Sequence, residues 1–580
     1  MKHLYTRSIF FLLLLVAVAC SGTKEITDGP TAYKLKKYAL ATRLLKADFE
    51  KAEGTEKAEL AWQIATSYAA IGKPGAAAEW YKNAMELGVP RDAPFAYGKM
   101  LMADGQYEKA KRVFIDIQKA EPYRRVEMRE WIAACEQAKE WLAKEQLTTV
   151  TNLSTINSGA ADFALTRFSN DEWVFVSSRP DATGEEADQW TGRPFYDVYI
   201  AERNATTQFS DIRGFDDMVN GPYNDGPVAF NPSYTEMVFT RCGSDDMMVN
   251  DYCQLYYSRR APEGGWSEPE VLVLFEDSVN IGQPTWGQDE NTILFAAVEP
   301  QGYGGSDLYY SVRTFEGWSP AINLGKPVNT SGDETFPSIG KDGTLYFSSD
   351  GHPGIGGLDL FAAPKREKNR WNAPVNLGYP INSNGDDFGL TVLPLSEEDQ
   401  IAFEIKGYLS SSRPGGKGLD DIYYFEQRKP PAEYFLTVTI EEKQLAEPNN
   451  PSAEVIGYQP IAGAQLVISS NERNDTVYVD TAGQYLTEVP ANTDFTLYAS
   501  NGPDYFSTSK TTTTKGYNAL PGETVTVEIE IVLDRIFKEQ EIVIPNIYYD
   551  FNDWAIRPDA ADVLDSTIYK LLVDNPNIVI

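Results

Sequence analysis

One phrase recurs five times between residues 150 and 428, and it restricts the fold of this chain more than any other feature. It reads "FSNDEWVFVSSR" with "DVYIA", "FNPSYTEMVFTR" with "QLYYS", "WGQDENTILFAA" with "DLYYS", "IGKDGTLYFSSD" with "DLFAA", and "GYLSSSR" with "DIYYF". Each copy opens on a turn, enters an alternating or wholly apolar strand, crosses a glycine-rich loop and resumes at a polar residue followed by apolar and aromatic ones. The points of resumption, Asp197, Gln254, Asp307, Asp359 and Asp421, lie 57, 53, 52 and 62 residues apart. A period near 50 residues with several strands per unit predicts β-propeller blades. Five copies predict about five blades, and a sixth would form only if residues just before 150 or after 428 complete one.

Between the copies stand "GWSEPEVL" at Trp266, "GWSPAINLG" at Trp318 and "RWNAPVNLG" at Trp371, then Val328-Asn329 or Ile381-Asn382, read here as the strand that joins one blade to the next. Together these phrases resemble the TolB-type, WD-like propeller repeat. The repeated Asp307, Asp359 and Asp421 admit two readings: a ring of catalytic or metal-binding carboxylates, or short acids that cap the same tight turn in each blade. The loop "SSDGHPGIGGLDL" has the glycines of a phosphate cradle, yet it lacks a P-loop lysine and a strand-to-helix setting, so turn-forming glycines are expected. His352 is then a loop residue.

Residues 31 to about 145 follow a helical period. Ala65, Tyr68, Gly72, Ala77, Tyr81 and Ala84 are spaced 3, 4, 5, 4 and 3 apart, and the pattern returns 33 residues on at Gly98, Leu101, Gly105, Ala110, Phe114 and Ile117. A weaker unit holds Tyr38, Ala41 and Leu45. Small residues where two antiparallel helices approach, with an aromatic filling the gap, resemble the tetratricopeptide repeat. An unrelated helical bundle is the alternative.

Ahead of the helices, Lys2, His3 and Arg7 precede an apolar run from Ile9 to Ala19, about half of a membrane span and therefore a signal-peptide core. The run ends in "AVAC", which resembles the bacterial lipobox and implies lipidation of Cys20; the alternative is secretion with Cys20 a plain thiol. In an exported chain the remaining Cys242 and Cys253, eleven residues apart, are expected to form a local disulfide, with Cys135 free in a helix. Only His3 and His352 occur, which all but excludes histidine catalysis and multi-histidine metal sites. A net charge of −33 argues against nucleic-acid binding. No cofactor, metal ligand set or catalytic residue is assigned.

"EQRKPPAEY" marks a boundary, since Pro430 and Pro431 stop strand pairing. From Tyr434 to about Asp534 short alternating strands predict a small β-sandwich. "PIAGAQLVISS" and "TAGQYLTEVPANTDFTLYAS", with Gly463, Ala464, Gly483 and Tyr485, resemble carboxypeptidase regulatory-like domains. The end of the chain offers a strand from Ile544 to Phe551, a helix opened by Pro558 with Ala561, Leu564, Ile568, Leu571 and Leu572 on its apolar side, and the start of another strand. Tyr549, Asp550 and Phe551 resemble the opening of an OmpA-like peptidoglycan-binding domain. By that resemblance the wall-binding residues are expected beyond Ile580.

The expected organisation is multidomain: signal peptide 1–19, all-α tetratricopeptide-like repeats 20–147, all-β propeller 148–428, β-sandwich 429–535 and the truncated α/β OmpA-like start 536–580. This order resembles the PorE-like lipoproteins of the type IX secretion and gliding machinery. The resemblance implies a non-enzymatic scaffold, held to the outer membrane by the acylated Cys20, facing the periplasm, bound to secretion-system proteins and, through the complete C-terminal domain, to peptidoglycan. Multivalency would then bridge the two anchors. Two alternatives stay open: a propeller that binds or senses glycan or peptide, and a hydrolase working through paired acids.

Overall fold

The computed structural model describes residues 26–574, apart from 90, 144–146, 170, 184–186, 189, 244–252, 263, 277–278, 472, 538–546 and 548–553. Cys20, the signal segment, and Tyr549, Asp550 and Phe551 lie outside the described residues. The chain divides into two compact units, Met1–Ser396 with Phe403–Arg428, and Glu397–Ala402 with Lys429–Ile580.

In the first unit, five antiparallel sheets follow one another, four of four strands and the third of five: blade 1 (162–214), blade 2 (224–271), blade 3 (280–323), blade 4 (334–376) and blade 5 (387–396 and 403–428). Their inner strands touch in a closed ring. The ring is locked by Thr148–Asn152, which pairs with Asp421–Arg428 as the outermost strand of blade 5. A sheet closed this way leaves no gap between first and last blade. Between blades lie apolar layers, such as Phe239 with Val174 and Val198, or Phe347 with Leu294 and Leu308.

Every inner strand carries a bulge at the same height, where Ala164, Gly226, Gln283, Phe336 and Gly389 adopt positive φ. A bulge turns one residue aside and bends the strand, and here five of them narrow the axis. The remaining axial cavity measures about 60 Å³, lined by Ala164, Pro227, Gln283, Phe336 and Gly389 and by their neighbours along the inner strands. The axis is a packed core, so polar chemistry must sit at its mouths.

Ahead of the ring run helices Gly29–Lys34, Tyr38–Phe49, Gly54–Ala70, Pro74–Glu86, Ala93–Ala103, Tyr107–Ala120 and Arg125–Ala143. Neighbours pack in sequence order through small residues; a Cβ on Gly98 would come within 2.5 Å of the Phe114 ring. The second unit is a sandwich. One sheet pairs the long strand Glu433–Leu445 with Val455–Pro460, Gln484–Glu488 and Thr524–Leu533; the other joins Asn474–Tyr478, Gln465–Ser469, Asp494–Ser500 and Thr508–Thr513. Leu436, Val438, Ile440, Leu466, Phe495 and Leu497 form its core. Helical residues Pro558–Asp574 follow, with Ala560 buried.

The expected succession of fold classes is corrected. The structure is mostly β, with strand residues outnumbering helical ones, and a free-standing all-α tetratricopeptide array is not evident. The helices belong to one compact unit with the propeller. Ile355, from a propeller loop, is buried in the same apolar core as Leu101, Met102, Tyr107 and Phe114. The small-and-aromatic spacing reported how adjacent helices pack, which any antiparallel pair requires, and carried no information about what the outer helices cover.

Candidate ligand site at the helix-covered mouth of the propeller

Strands alternate in direction within each blade, so loops between second and third strands and loops between blades emerge on one face. The helices cover that face. At blade 1, Ala39 N–H donates to Trp190 O at 2.9 Å, the Trp190 indole N–H donates to Ala70 O at 3.4 Å, and the Trp190 ring meets Tyr38 edge-on at 5.1 Å. At blades 4 and 5, Lys99 Nζ pairs with Asp350 at 2.6 Å and Asn384 Nδ2 donates to Ala103 O at 3.1 Å.

Beneath the helices, an acid opens the inner strand of several blades, and its role is settled by its partners. Asp162 accepts from Ser158 N–H, the hydroxyls of Ser158 and Ser177, and Arg179 at 2.8 Å. Asp387 accepts the same set from Ser383, Ser411 and Arg413, the last at 2.6 Å. Glu334 takes Thr330 N–H with the Thr330 and Ser349 hydroxyls, and Asp225 takes Gly221 N–H and Arg241 at 2.6 Å. Each bond to the residue four positions back clasps the inter-blade loop. Blade 3 has Ile281 facing Ala297 at this level and no such acid. Burial pushes Asp225 up to about 6, against Arg241, and Glu334 up to about 7, against its hydroxyl partners.

The repeated aspartates of the third strands are also bound locally. Asp359 accepts Ile355 and Gly356 N–H at 2.7 and 3.1 Å; Asp307 accepts Tyr303 N–H and Asn323; Asp421 accepts Lys417 and Gly418 N–H and Asn152; Asp197 accepts Thr183 N–H and hydroxyl. The glycines of the "GHPGIGG" loop make room for this: a Cβ on Gly354 would lie 1.9 Å from Asp359 Oδ2. His352 Nε2 lies 2.8 Å from Val328 O, and burial lowers its pKa. Register corrects one assignment. The blade 2 counterpart of these aspartates is Cys253, opposite Cys242, and not Gln254. The two cysteines are joined as a disulfide, so a covalent bond stands where the other blades use an acid; Cys135 is free and buried.

The Val-Asn and Ile-Asn pairs lie in loops and not in a joining strand. Asn329 accepts Leu308 N–H and donates to Leu308 O, imitating a backbone partner; Asn382 does so with Leu360, Asn220 with Val198 and Asn157 with Ile422. The same dipeptide at Ile156-Asn157, Val219-Asn220 and Val279-Asn280 was a legible repeat that the sequence reading passed over.

What remains is a second tier of groups. Asp333, Asp386 and Asp420 sit one residue before clasping or capping acids. Asp333 accepts Ser306 N–H at 2.7 Å and Asp386 accepts Leu358 N–H at 2.9 Å; Asp333 is exposed and Asp386 and Asp420 are half-buried, so water reaches all three. Burial pushes Asp420 up to about 7, Asp386 adding to the rise and Arg193 opposing it. Burial and then Asp350 raise Asp333, against Lys99 and Lys36; burial and then Asp387 and Asp350 raise Asp386. Phe163, Phe336 and Phe388 form the floor, with centroids 4.8 to 6.4 Å apart, and Tyr196 stands edge-on to Phe163 at 5.3 Å. From the turn between the first two helices comes Lys36, its pKa lowered by burial, and from the start of the second helix Tyr38, its phenol raised to about 12 by burial. Among the described residues no set of His, Cys, Asp and Glu is arranged to hold a metal ion.

No protein-family model matches the chain, and no curated protein matches it. Solved structures do. A thermostable family-43 glycoside hydrolase is 13% identical over 47% of this chain and 89% of its own, with a TM-score of 0.32. The exo-β-1,3-galactanase 1,3Gal43A from Clostridium thermocellum is 13% identical over 65% and 88%, TM-score 0.32, and a xylan β-1,4-xylosidase from Bacillus halodurans C-125 is 12% identical over 63% and 92%, TM-score 0.32. The expectation that the chain is not an enzyme is corrected on this finding, because the chains similar to it include glycoside hydrolases. Likeness at this level assigns no reaction.

Proposed function

We propose that the chain is a propeller-based binding or sensing lipoprotein, with the helix-covered mouth as its site for a glycan or peptide. The observation that carries this reading is the water-accessible tier of Asp333, Asp386 and Asp420 around an aromatic floor. Carboxylates accept hydrogen bonds from hydroxyl, amide and ammonium groups, and aromatic rings pack against apolar C–H faces. A few converging polar groups over an apolar base is the usual make-up of a small-ligand site.

The test is calorimetric titration of the chain with soluble peptidoglycan fragments, which present sugar and short peptide together. Replacing Asp386 and Asp420 by Ala is expected to weaken binding at least about tenfold, about 1.4 kcal/mol. Unchanged affinity in that variant sinks the reading. A second reading is glycan hydrolysis through paired acids, for which Asp420 and Asp386, whose charge adds to the rise of Asp420, are the candidates. Release of new reducing ends from xylan or galactan, lost in Asp420→Asn, would support it; no release would dismiss it.

Lipid attachment at Cys20, residence at the outer membrane facing the periplasm, and contact with type IX secretion proteins and the cell wall complete the proposal; their support is the resemblance of motifs and module order. Metabolic labelling with a clickable fatty acid should mark the chain and fail with Cys20→Ser.

A further inference from the structure

We propose that the mouth takes a zwitterion, its carboxylate received by Lys36 and Arg193 and its ammonium by Asp386 and Asp420, a step that rests on the mouth being a ligand site. Helices Gly54–Ala70, Pro74–Glu86 and Ala93–Ala103 are each closed by a glycine, Gly72, Gly88 and Gly105, with φ of 67°, 77° and 72°. Each glycine donates its N–H three residues back, to Ala69, Met85 and Met102, and the residue after it donates five back. Helix Gly29–Lys34 is closed by the same two bonds, Lys36 to Tyr33 and Lys37 to Ala32, but its left-handed residue, at φ 56°, is lysine. Glycine meets no steric penalty in that conformation and a longer side chain does. The first turn thus holds an ammonium against a strain that the three equivalent turns avoid.

The protein does not use that ammonium itself. Among the described residues neither the Lys36 nor the Arg193 side chain makes an ion pair or donates a hydrogen bond; Lys99, by contrast, is held by Asp350 at 2.6 Å. The two cations stand on segments that touch, since a Cβ on Gly192 would lie 3.0 Å from the Ala39 Cβ and Ala39 N–H donates to Trp190 O. On the other side, Asp162 N–H donates to Asp420 O at 2.7 Å and so sets Asp420 beside Phe163. No group among the described residues donates to the Asp420 carboxylate, and Asp386 accepts one backbone N–H, from Leu358. Lys36 opposes the rise of Asp333 and Arg193 that of Asp420, so each pair lies within electrostatic reach, yet neither closes into an ion pair. A half-buried charge without a partner has lost hydration and gained nothing in return. A ligand with one charge of each sign compensates both sides at once. The Arg193 fork can take a carboxylate bidentately, while Asp420 and Asp386, with the ring faces of Phe163 and Tyr196, suit an ammonium. A neutral glycan would leave both cations without a counter-charge.

The experiment is calorimetric titration of the full chain with alanyl-leucyl-alanine free at both ends, with its N-acetyl and C-amide forms, and with soluble peptidoglycan fragments. The free peptide should bind at least about tenfold more tightly than either blocked form. Lys36→Gly with Arg193→Met should erase its advantage over the amide, and Asp386→Ala with Asp420→Ala its advantage over the acetyl form, because each variant removes the counter-charge of the end that was blocked. Lys36→Gly alone relaxes a left-handed turn, so the free peptide should bind more weakly while the melting temperature holds or rises; a fall would mark the lysine as structural and overturn the proposal. Fragments that bind and respond to the acid substitutions, while the three peptides bind alike or not at all, would overturn the zwitterion and leave the ligand site standing. No binding of any probe would overturn both.

Discussion

Asp162 and Arg179 show how much of this propeller rests on single polar residues. The acid is fully buried and the guanidinium 12% exposed, at 2.8 Å. Removing one partner of such a pair leaves the other's charge unmatched, so Asp162→Ala should cost roughly 3 to 5 kcal/mol in denaturant unfolding. Pairing Asp162→Leu with Arg179→Met should recover part of that; an equal loss would contradict the clasp. Glu334 gives a pH dependence whose sign is fixed. Burial raises its carboxyl from 4.5 in the unfolded chain to about 7, so its contribution is complete below 4.5 and lost as pH climbs through 7. The melting temperature of the chain should therefore fall, relative to Glu334→Gln, between about pH 5 and about pH 8; parallel curves would show that Glu334 stays charged. The repeated aspartates were visible in the sequence because each copy repeats its turn. Cys253 was not, because alignment by the following aromatic residues shifted it by one, and only strand pairing sets the level at which it stands.

At the level of elements, the strands were legible and the helices half so. A blade repeats its apolar alternation because both faces pack on neighbouring blades, and that constraint is written locally. The helical spacing recorded packing between neighbours such as Gly98 and Phe114. It did not record that Trp190, Asp350, Ile355 and Asn384 of the propeller would take up the exposed side of the helices, since those partners lie far along the chain. The disulfide is the element-scale counterpart of the acid caps: Cys242→Ser with Cys253→Ser should lower stability by about 2 to 4 kcal/mol, read by thermal melting. A loss well below that range would mean the paired strands Glu236–Cys242 and Cys253–Arg259 hold the loop without it.

For the whole molecule, the site arises from the union of two parts that the sequence presents as separate domains. Propeller loops supply the carboxylates and inner strands the aromatic floor, while the helical segment supplies Tyr38, Lys99 and, from the turn between its first two helices, Lys36. Neither the propeller repeat nor the helical period announces Asp333, Asp386 or Asp420, because each stands one position before a residue whose structural role explains the motif. The measurement that tests this most directly is titration of the chain with soluble peptidoglycan fragments, beside Asp386→Ala with Asp420→Ala and, as control, Asp475→Ala on the sandwich. Saturable binding that falls at least about tenfold in the first variant and is unchanged in the control is the expected result; equal affinity in all three would contradict a ligand site at the mouth.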